Sequence, residues 1–416
     1  PPNATYTEDH ELRKQLGIYY TPESVAAYLA KRALEIWSVR PTKPIEQVRW
    51  LDTCAGSGTF LVQAFRALTN ELWRRLGRPL SIEERAKLLG DCIFGLDIEL
   101  RPLERSALAC YFEALSGQGV ASGQRLLPRL LGRNRNLWQG DACDLRGRLP
   151  PGFQADIILL NPPYTDHRSA SAPCWRILRE AIAHLPENGV LGTIVPDALL
   201  RNEWLADLRK SILASTAIEE FGLIRTRVFE EPNIRPILLL LRKVRAADVR
   251  MAHVPRSVFI RSIEPQVKTD PIARTASQAS LIRPPLNSFN VHVPDAITDL
   301  QPRLLNTGSF RPLRDFVKCM HGVVNPPRGT VYKKDAEASA TGTAGKKYLK
   351  GKNIQLFRTS WSTWFIDYRK AQEGTKGTKN SARYPELFEV PCKLLVRESG
   401  SIIRACLDFE RRYADN

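Results

Sequence analysis

The chain carries an Asn-Pro-Pro-Tyr tetrapeptide, Asn161–Tyr164, directly after the apolar run Ala155–Leu160. Such a run predicts a buried strand, so the tetrapeptide is expected where a strand leaves a sheet. It presents an amide, a rigid carbonyl and an aromatic ring, which together could hold a planar amine while a group is transferred to its nitrogen. An ordinary turn after a strand uses the same residue types and is the alternative.

A second motif, Asp52-Thr-Cys-Ala-Gly-Ser-Gly58, lies between a predicted strand and a helix predicted over residues 59–76. Gly56 and Gly58 allow a tight turn and a close approach of the backbone to a ligand, and the helix offers its free N–H groups there. The motif is not the Gly-x-Gly-x-x-Gly fingerprint, and no Lys follows it as in a P-loop. It therefore favours neither pyrophosphate nor triphosphate. A plain strand-to-helix turn is the alternative.

In this order, the two motifs resemble those of the gamma-group adenine-N6 DNA methyltransferases, which occur in type II and type IIG restriction–modification and in related phage defence. The similarity covers residues 17 to about 243 well and residues 306–416 loosely. It implies an α/β fold, with a Rossmann-like sheet that binds S-adenosylmethionine (SAM) and a C-terminal mixed α/β target recognition domain. The cofactor implied is SAM, and the partner is double-stranded DNA.

The resemblance also implies roles for individual residues. Asp97 matches the acid that binds the ribose of the cofactor, and Asp141 matches the acid that accepts a hydrogen bond from its adenine amino group; an ordinary turn residue is the alternative for Asp141. Glu99 could be a helix cap. The implied site comprises catalytic Asn161, Pro162, Pro163 and Tyr164, cofactor-binding Tyr20, Thr21, Asp52, Cys54, Gly56, Gly58, Asp97 and Asp141, and Phe229, which would contact the flipped base or else pack in the core.

The predicted chemistry follows from the weak nucleophilicity of the adenine amine, whose lone pair is delocalised into the ring. Acceptors placed off the ring plane favour a pyramidal nitrogen, and the Asn161 side-chain oxygen and the Pro162 carbonyl can supply them. Tyr164 is expected to stack on the base. Because the sulfonium of SAM is an excellent leaving group, catalysis needs mainly alignment and no metal. The target base must first leave the duplex stack.

These side chains must be positioned by secondary structure, and alternating strands and helices predict a parallel, doubly wound sheet covered on both faces. The helix before the first strand is predicted to have Thr21 as its N-cap, with Pro22 in the first turn, and to run to about Trp37. After the tetrapeptide we expect one helix and three strands: Ala198–Leu213, and Gly189–Pro196, Ile218–Gly222 and Arg235–Leu241.

Composition predicts three regions: a catalytic domain over 1–243, a Pro-rich basic connecting segment over 244–305, and a target recognition domain over 306–416 that looks incomplete at Asn416. Lys, Arg and aromatic residues interleave in the last region, as in a DNA-contacting surface; a small core with a solvated face is the alternative. A second Asn-Pro-Pro, at 325–327, is followed by Arg and is expected to be a loop.

The charge balance agrees with a polyanionic partner. The 416 residues carry a net charge of +17, although a solvated basic surface is the alternative. The eight Cys and six His show neither Cys-x-x-Cys nor His-x-x-x-His spacing, which predicts no zinc site and a reducing compartment. No apolar run reaches the length of a membrane span. We therefore expect a cytoplasmic, nucleoid-associated protein of a bacterium or archaeon, with a fused or separate restriction or defence component.

Two other functions are compatible with parts of this pattern. Protein-glutamine N5 methyltransferases also combine a glycine loop with Asn-Pro-Pro-Tyr, because a carboxamide nitrogen resembles the adenine amine. They usually lack a large basic C-terminal region, and their helper domain comes first. A DNA-binding subunit without catalytic activity is the other alternative, and the intact tetrapeptide and cofactor acids argue against it.

Overall fold

The computed structural model describes residues 21–116, 136–164, 169–224, 235–245, 257–263, 273–277, 282–283, 288–291, 300, 303–304, 307, 311, 315–317, 330–333, 345–368, 385–397 and 404–414. The chain divides into two compact units, residues 1–304 and 305–416. Across the described ranges, no helix combines the length and apolar character that a membrane crossing requires.

The first unit is built on a nine-stranded sheet in the order β3-β2-β1-β4-β5-β7-β6-β8-β9. Its strands are β1 (Trp50–Asp52), β2 (Ile93–Asp97), β3 (Leu137–Gln139), β4 (Ile157–Leu160), β5 (Val190–Pro196), β6 (Thr216–Ile224), β7 (Pro236–Lys243), β8 (Ser257–Ile263) and β9 (Ala273–Ser277). A separate hairpin pairs β10 (Ile282–Arg283) with β11 (Ser288–Phe289). The sheet therefore continues past Lys243, into the segment predicted to be a connection.

The five strands β3, β2, β1, β4 and β5 are parallel. The prediction of a wholly parallel sheet is wrong beyond β5, because β7 runs antiparallel to both β5 and β6. Residues 225–235, which separate β6 from β7, are too few for the crossover that adjacent parallel strands need. Strand order reverses between β1 and β4, and this is where open α/β sheets bind ligands.

Helices cover both faces of the sheet. They are α1 (Glu23–Ser38), α2 (Thr59–Leu76), α3 (Ile82–Cys92), α4 (Leu100–Leu115), α5 (Leu145–Arg148), α6 (Pro173–His184), α7 (Ala198–Arg201) and α8 (Ala206–Ser215). Alternate residues of β4 enter different cores: Ile157 and Leu159 pack with α1 and α2, whereas Ile158 and Leu160 pack with α6 and α8. This alternation confirms the prediction of a doubly covered sheet.

Two predicted helix boundaries need correction. Helix α1 begins at Glu23 with Pro22 at the N-cap, so the side chain of Thr21 does not cap it. The single helix expected over 198–213 is broken at Asn202, whose backbone is extended. The buried guanidinium of Arg209 donates to the carbonyls of Leu199 and Asn202 at 3.0 and 2.9 Å, which satisfies the end of the short helix α7.

The second unit contains small sheets. Its largest has the order β12-β16-β13-β19, formed by β12 (Val331–Lys333), β13 (Lys346–Leu349), β16 (Trp364–Ile366) and β19 (Tyr413–Ala414). Two hairpins pair β14 (Ile354–Gln355) with β15 (Arg358–Thr359), and β17 (Lys393–Val396) with β18 (Ala405–Asp408), and a short helix, α9, spans Pro385–Phe388. The second Asn-Pro-Pro lies outside the described residues.

Candidate functional site

The carboxyl ends of β1, β2, β3 and β4 border a cavity of about 420 Å³. Nine of the predicted site residues line it: Thr21, Asp52, Cys54, Gly56, Asp97, Asp141, Asn161, Pro162 and Pro163. The structure thus brings together residues that lie up to 142 positions apart in sequence. Tyr20 and Phe229 lie outside the described residues, so their roles stay predictions.

A larger cavity, of about 670 Å³, lies near the amino ends of β1 and β2. Its wall mixes basic and acidic side chains, among them Lys43, Arg49 and Glu84. Of the predicted site residues within the described ranges, none contributes to it. Motif chemistry, not size, therefore identifies the smaller cavity as the functional one.

The glycine motif forms a left-handed turn between β1 and α2. Gly56 has φ +50° and Gly58 has φ +89°, a region that residues with a Cβ rarely adopt. A Cβ on Gly58 would also lie 2.8 Å from the Cα of Ser106 in α4, whereas one on Gly56 would have no neighbour closer than 3.9 Å. Glycine is thus required at position 58 because a side chain would clash with Ser106, and at position 56 because of its left-handed backbone conformation.

Asp97, at the end of β2, holds the glycine turn in place. Its Oδ2 accepts a hydrogen bond from the Gly56 backbone N–H at 2.8 Å, and its Oδ1 accepts one from the Glu99 N–H at 2.9 Å. Burial raises the pKa of Asp97, and these backbone hydrogen bonds oppose that rise. Glu99 stands at the N-cap of α4 but makes no side-chain capping bond, and it lines the cavity instead.

Asp52, at the end of β1, is a buried acid under the same turn, only 1% exposed. Its Oδ1 accepts a hydrogen bond from the Cys54 N–H at 3.0 Å. Burial raises its pKa to about 8; the Cys54 hydrogen bond opposes this rise and the charge of Asp97 adds to it. Burial likewise raises the pKa of Cys54 well above its usual value, which keeps this thiol protonated.

The raised pKa of Asp52 predicts a specific pH dependence of stability. A carboxyl that ionises near pH 8 when folded and near pH 4 when unfolded favours the folded state at low pH, and this contribution is lost as pH rises through about 8. Asp52→Asn cannot ionise. Between pH 5 and pH 9 its free energy of unfolding should therefore rise relative to that of the wild type by more than about 1 kcal/mol, and thermal melts at each pH would measure the change. The exposed Asp207 provides the control, Asp207→Asn. Parallel pH profiles for Asp52→Asn and wild type would contradict this prediction.

Asp141 follows β3. Its Oδ1 accepts from the Cys143 N–H at 2.8 Å, so the carboxylate caps the 3-10 turn Ala142–Asp144. Asp141 is therefore a turn residue, as the alternative interpretation predicted. The same side chain also lines the cavity. Its contact with a cofactor stays a prediction.

The tetrapeptide Asn161–Tyr164 begins where β4 ends, and hydrogen bonds hold the amide nitrogen and the amide oxygen of the Asn161 side chain. The Nδ2 donates to the Thr21 hydroxyl at 3.0 Å, and the Oδ1 accepts from the Tyr164 hydroxyl at 2.8 Å. A carbonyl oxygen has two lone pairs, so Oδ1 can accept a second hydrogen bond from a substrate amine. Thr21, expected to cap a helix, instead orients the amide.

Tyr164 is placed differently from the prediction. Its side chain is 3% exposed and packs in the apolar cluster on the α1 side of the sheet. The structure does not bring the ring to the described wall of the cavity, where stacking on a base was expected. Its hydroxyl instead donates a hydrogen bond to the Asn161 Oδ1.

Several cavity residues were missed by sequence reasoning. The most distinctive is Arg176 on α6, the one basic side chain among the described residues that line the cavity. Four acids line the same cavity: Asp52, Asp97, Glu99 and Asp141. No signal in the sequence marks Arg176, because the fold of α6 over the sheet brings it there.

This donor set fits SAM. A cavity lined by four acidic side chains suits a ligand that carries a sulfonium and an ammonium, and the free N–H groups at the start of α2 suit its carboxylate. Within the described part of the chain, no group of His, Cys, Asp and Glu is arranged to hold a metal ion.

The strand order, the glycine turn after β1 and the acid at the end of β2 define a Rossmann-like SAM-dependent methyltransferase fold, which confirms the fold class predicted for the first unit. The chain belongs to the N-6 DNA Methylase family, whose match spans residues 6–269. This membership confirms the resemblance seen in the motifs. It also confirms, at the level of the family, the predicted enzyme class and its cofactor SAM.

Individual relatives are distant. The type II methyltransferase M.BstVI of Geobacillus stearothermophilus is 23% identical over 227 residues, 49% of this chain and 37% of that protein. The type IIL restriction–modification enzyme MmeI, solved in complex with DNA, is 15% identical with a TM-score of 0.59. The match covers 97% of this chain and 62% of the MmeI chain. The EcoKI M protein, from a type I restriction enzyme, is 16% identical with a TM-score of 0.42, over 59% and 48%. The chain thus spans a third to two thirds of these proteins' lengths.

Proposed function

We propose that this protein transfers the methyl group of SAM to the N6 amino group of an adenine that has been flipped out of a specific duplex DNA sequence. The observation that carries the proposal is the Asn161 amide, locked between Thr21 and Tyr164 at the wall of the cavity. An acceptor held in this way costs no reorganisation when the substrate amine arrives.

The residues around the cavity divide into cofactor and substrate contacts. Asp97 would hold the ribose hydroxyls, Asp141 the adenine amino group of the cofactor, and the turn at Gly56 its methionine end. When bound, SAM supplies a methyl group on a sulfonium centre. The side chains themselves bind and orient, as expected for a reaction limited by alignment.

Activation of the substrate amine falls to Asn161 and Pro162. Their carbonyl oxygens would accept hydrogen bonds from the two N–H groups of the amine. These bonds favour a pyramidal nitrogen, whose lone pair is less delocalised into the ring. Proline fits this role because it fixes its own φ and adds no competing N–H donor. Once the nitrogen is methylated it carries one proton too many, which passes to solvent.

The basic second unit favours DNA over a protein substrate. Residues 305–416 contain 21 Lys and Arg against 11 Asp and Glu, a surplus suited to phosphate neutralisation. The alternative function, methylation of a protein glutamine, gives this surplus of positive charge no role. By analogy with M.BstVI and MmeI, we assign the protein to restriction–modification or phage defence in a bacterial or archaeal cytoplasm, acting with a fused or separate restriction component.

A competition experiment tests the choice of acceptor. Labelled SAM is incubated with the protein and a mixture of unmethylated plasmid DNA and bacterial protein extract. We expect label in the DNA fraction, with nuclease releasing it and protease leaving it in place. Label in the protein fraction would favour glutamine methylation, and label in neither fraction would favour a DNA-binding subunit without activity.

Thr21 gives a separate prediction about orientation. Thr21→Val removes the acceptor for the Asn161 amide and should slow methyl transfer about tenfold, the penalty for one unsatisfied polar group. Thr21→Ser keeps the hydroxyl and should restore most of the rate. Single-turnover rates at saturating SAM separate this effect from cofactor binding. Equal rates for the valine and serine variants would show that Thr21 does not position Asn161.

A further inference from the structure

A tight hairpin in the second unit presents two apolar side chains to solvent. Strands β14 and β15 pair Gln355 with Arg358, which leaves Leu356 and Phe357 as the turn. Leu356 is 53% exposed and Phe357 is 86% exposed. A large aromatic ring this exposed at the tip of a turn makes almost no contribution to the core.

The base of this hairpin is firmly held. Asn353, 5% exposed, accepts from the Lys350 N–H at 2.9 Å and donates to the Ser360 carbonyl at 2.7 Å. The Phe357 N–H donates to the Ala405 carbonyl at 2.9 Å, which ties the tip to β18. These hydrogen bonds fix the backbone that carries the Phe357 ring.

The backbone of the tip is also unfavourable for the residue it carries. Phe357 has φ +63°, in the left-handed region that favours Gly or Asn. A residue held in such a conformation without a packing role points to a role in binding.

The segment that carries the hairpin is basic, although two of its lysines, Lys346 and Lys347, form ion pairs with Glu389 and Glu410. Residues 346–366 contain five Lys and Arg and no acidic residue. Lys352 and Arg358 flank the turn, and neither forms an ion pair with a described residue. An apolar tip between cations matches a nucleic acid duplex, in which phosphates lie on both sides of stacked bases.

We propose that the Leu356–Phe357 turn is a wedge that inserts between stacked base pairs of the bound duplex, while Lys352 and Arg358 contact the flanking phosphates. The proposal rests on the proposed function, because it takes duplex DNA as the substrate. Inserted apolar side chains unstack a base step and bend the duplex, and an adenine can reach a catalytic cavity only from a disrupted stack.

Unwinding of closed circular DNA tests the wedge. Relaxed plasmid is incubated with saturating full chain, treated with topoisomerase I, and stripped of protein. We expect the wild type to lower the linking number in proportion to bound protein. Phe357→Ala should reduce this change roughly threefold or more. Phe112, 66% exposed on α4, supplies the control: Phe112→Ala should unwind DNA as the wild type does.

A second variant separates wedge loss from misfolding. Phe357→Gly removes the ring and also relieves the left-handed φ, so it should melt no lower than the wild type while losing the unwinding. Variants that unwind DNA as well as the wild type, or a wild type that binds without unwinding, would overturn the proposal. So would turn-dependent self-association of the chain with no effect on DNA.

The two proposals fail in distinguishable ways. Methyl transfer to DNA without any change in linking number would defeat the wedge and leave the proposed function intact. Unwinding that depends on Phe357, in a protein that transfers no methyl group to DNA, would defeat the proposed function and leave the wedge.

Discussion

Replacing Asn161 with alanine is expected to slow methyl transfer to DNA about 100- to 1,000-fold, the range found when one preorganised polar contact to a reacting centre is removed. The amide oxygen is the side-chain acceptor that can draw out the substrate lone pair, and no other described side chain of the tetrapeptide can replace it. Because the proposed cofactor contacts lie on Asp97, Asp141 and the turn at Gly56, and Asn161 is assigned to the substrate amine, binding of SAM should change by less than about threefold.

Two matched variants make this test sharper. Asn161→Asp keeps an acceptor oxygen but loses the donor to Thr21, so it should retain more activity than Asn161→Ala. Tyr164→Phe keeps the buried ring and removes only its hydroxyl, so it should be slowed less than either. Single-turnover rates and calorimetric SAM affinities would be compared. An alanine variant that keeps most of the wild-type rate would show that Asn161 does not activate the amine.

Gly58→Ala is expected to have the largest effect on folding. The new methyl group would meet the Cα of Ser106 at 2.8 Å, and the residue would have to keep φ +89°. Overpacking against backbone and a left-handed conformation together should destabilise the protein by about 3 kcal/mol. Since Gly56 and Ser57 of the same turn line the proposed SAM cavity, cofactor affinity should fall as well.

Gly77 is the matched control for this substitution. It also has a left-handed φ, +68°, but a Cβ there would have nothing within 4 Å. Gly77→Ala should therefore show the conformational term alone, about 1 kcal/mol. Thermal melts of both variants measure the difference. If the two melted at the same temperature, contact with Ser106 would not be what requires glycine at position 58.

Local patterns in the sequence predicted the parts of the site that depend on neighbouring residues. The glycine turn and helix α2 follow one another directly, and apolar runs ending in Asp97 and Asn161 mark strand ends that meet at one edge. Such features need only short-range rules of strand burial and turn chemistry.

The errors arise where a distant residue decides the outcome. Thr21 has the chemistry of a helix cap, but its hydroxyl is taken by Asn161, 140 positions away. The helix after β5 ends at Arg201, and the buried Arg209 satisfies the carbonyls of Leu199 and Asn202. Arg176 enters the cavity only because α6 crosses the sheet there. Periodicity in one sequence does not encode these contacts.

The most direct test of the central claim is the identity of the methylated nucleoside. DNA from methylation-deficient cells that express the protein would be digested to nucleosides and analysed by mass spectrometry, beside DNA from cells expressing Asn161→Ala. We predict N6-methyladenine in the first sample and its loss in the second. Methylcytosine as the sole product, or N6-methyladenine at equal levels in both samples, would contradict the account.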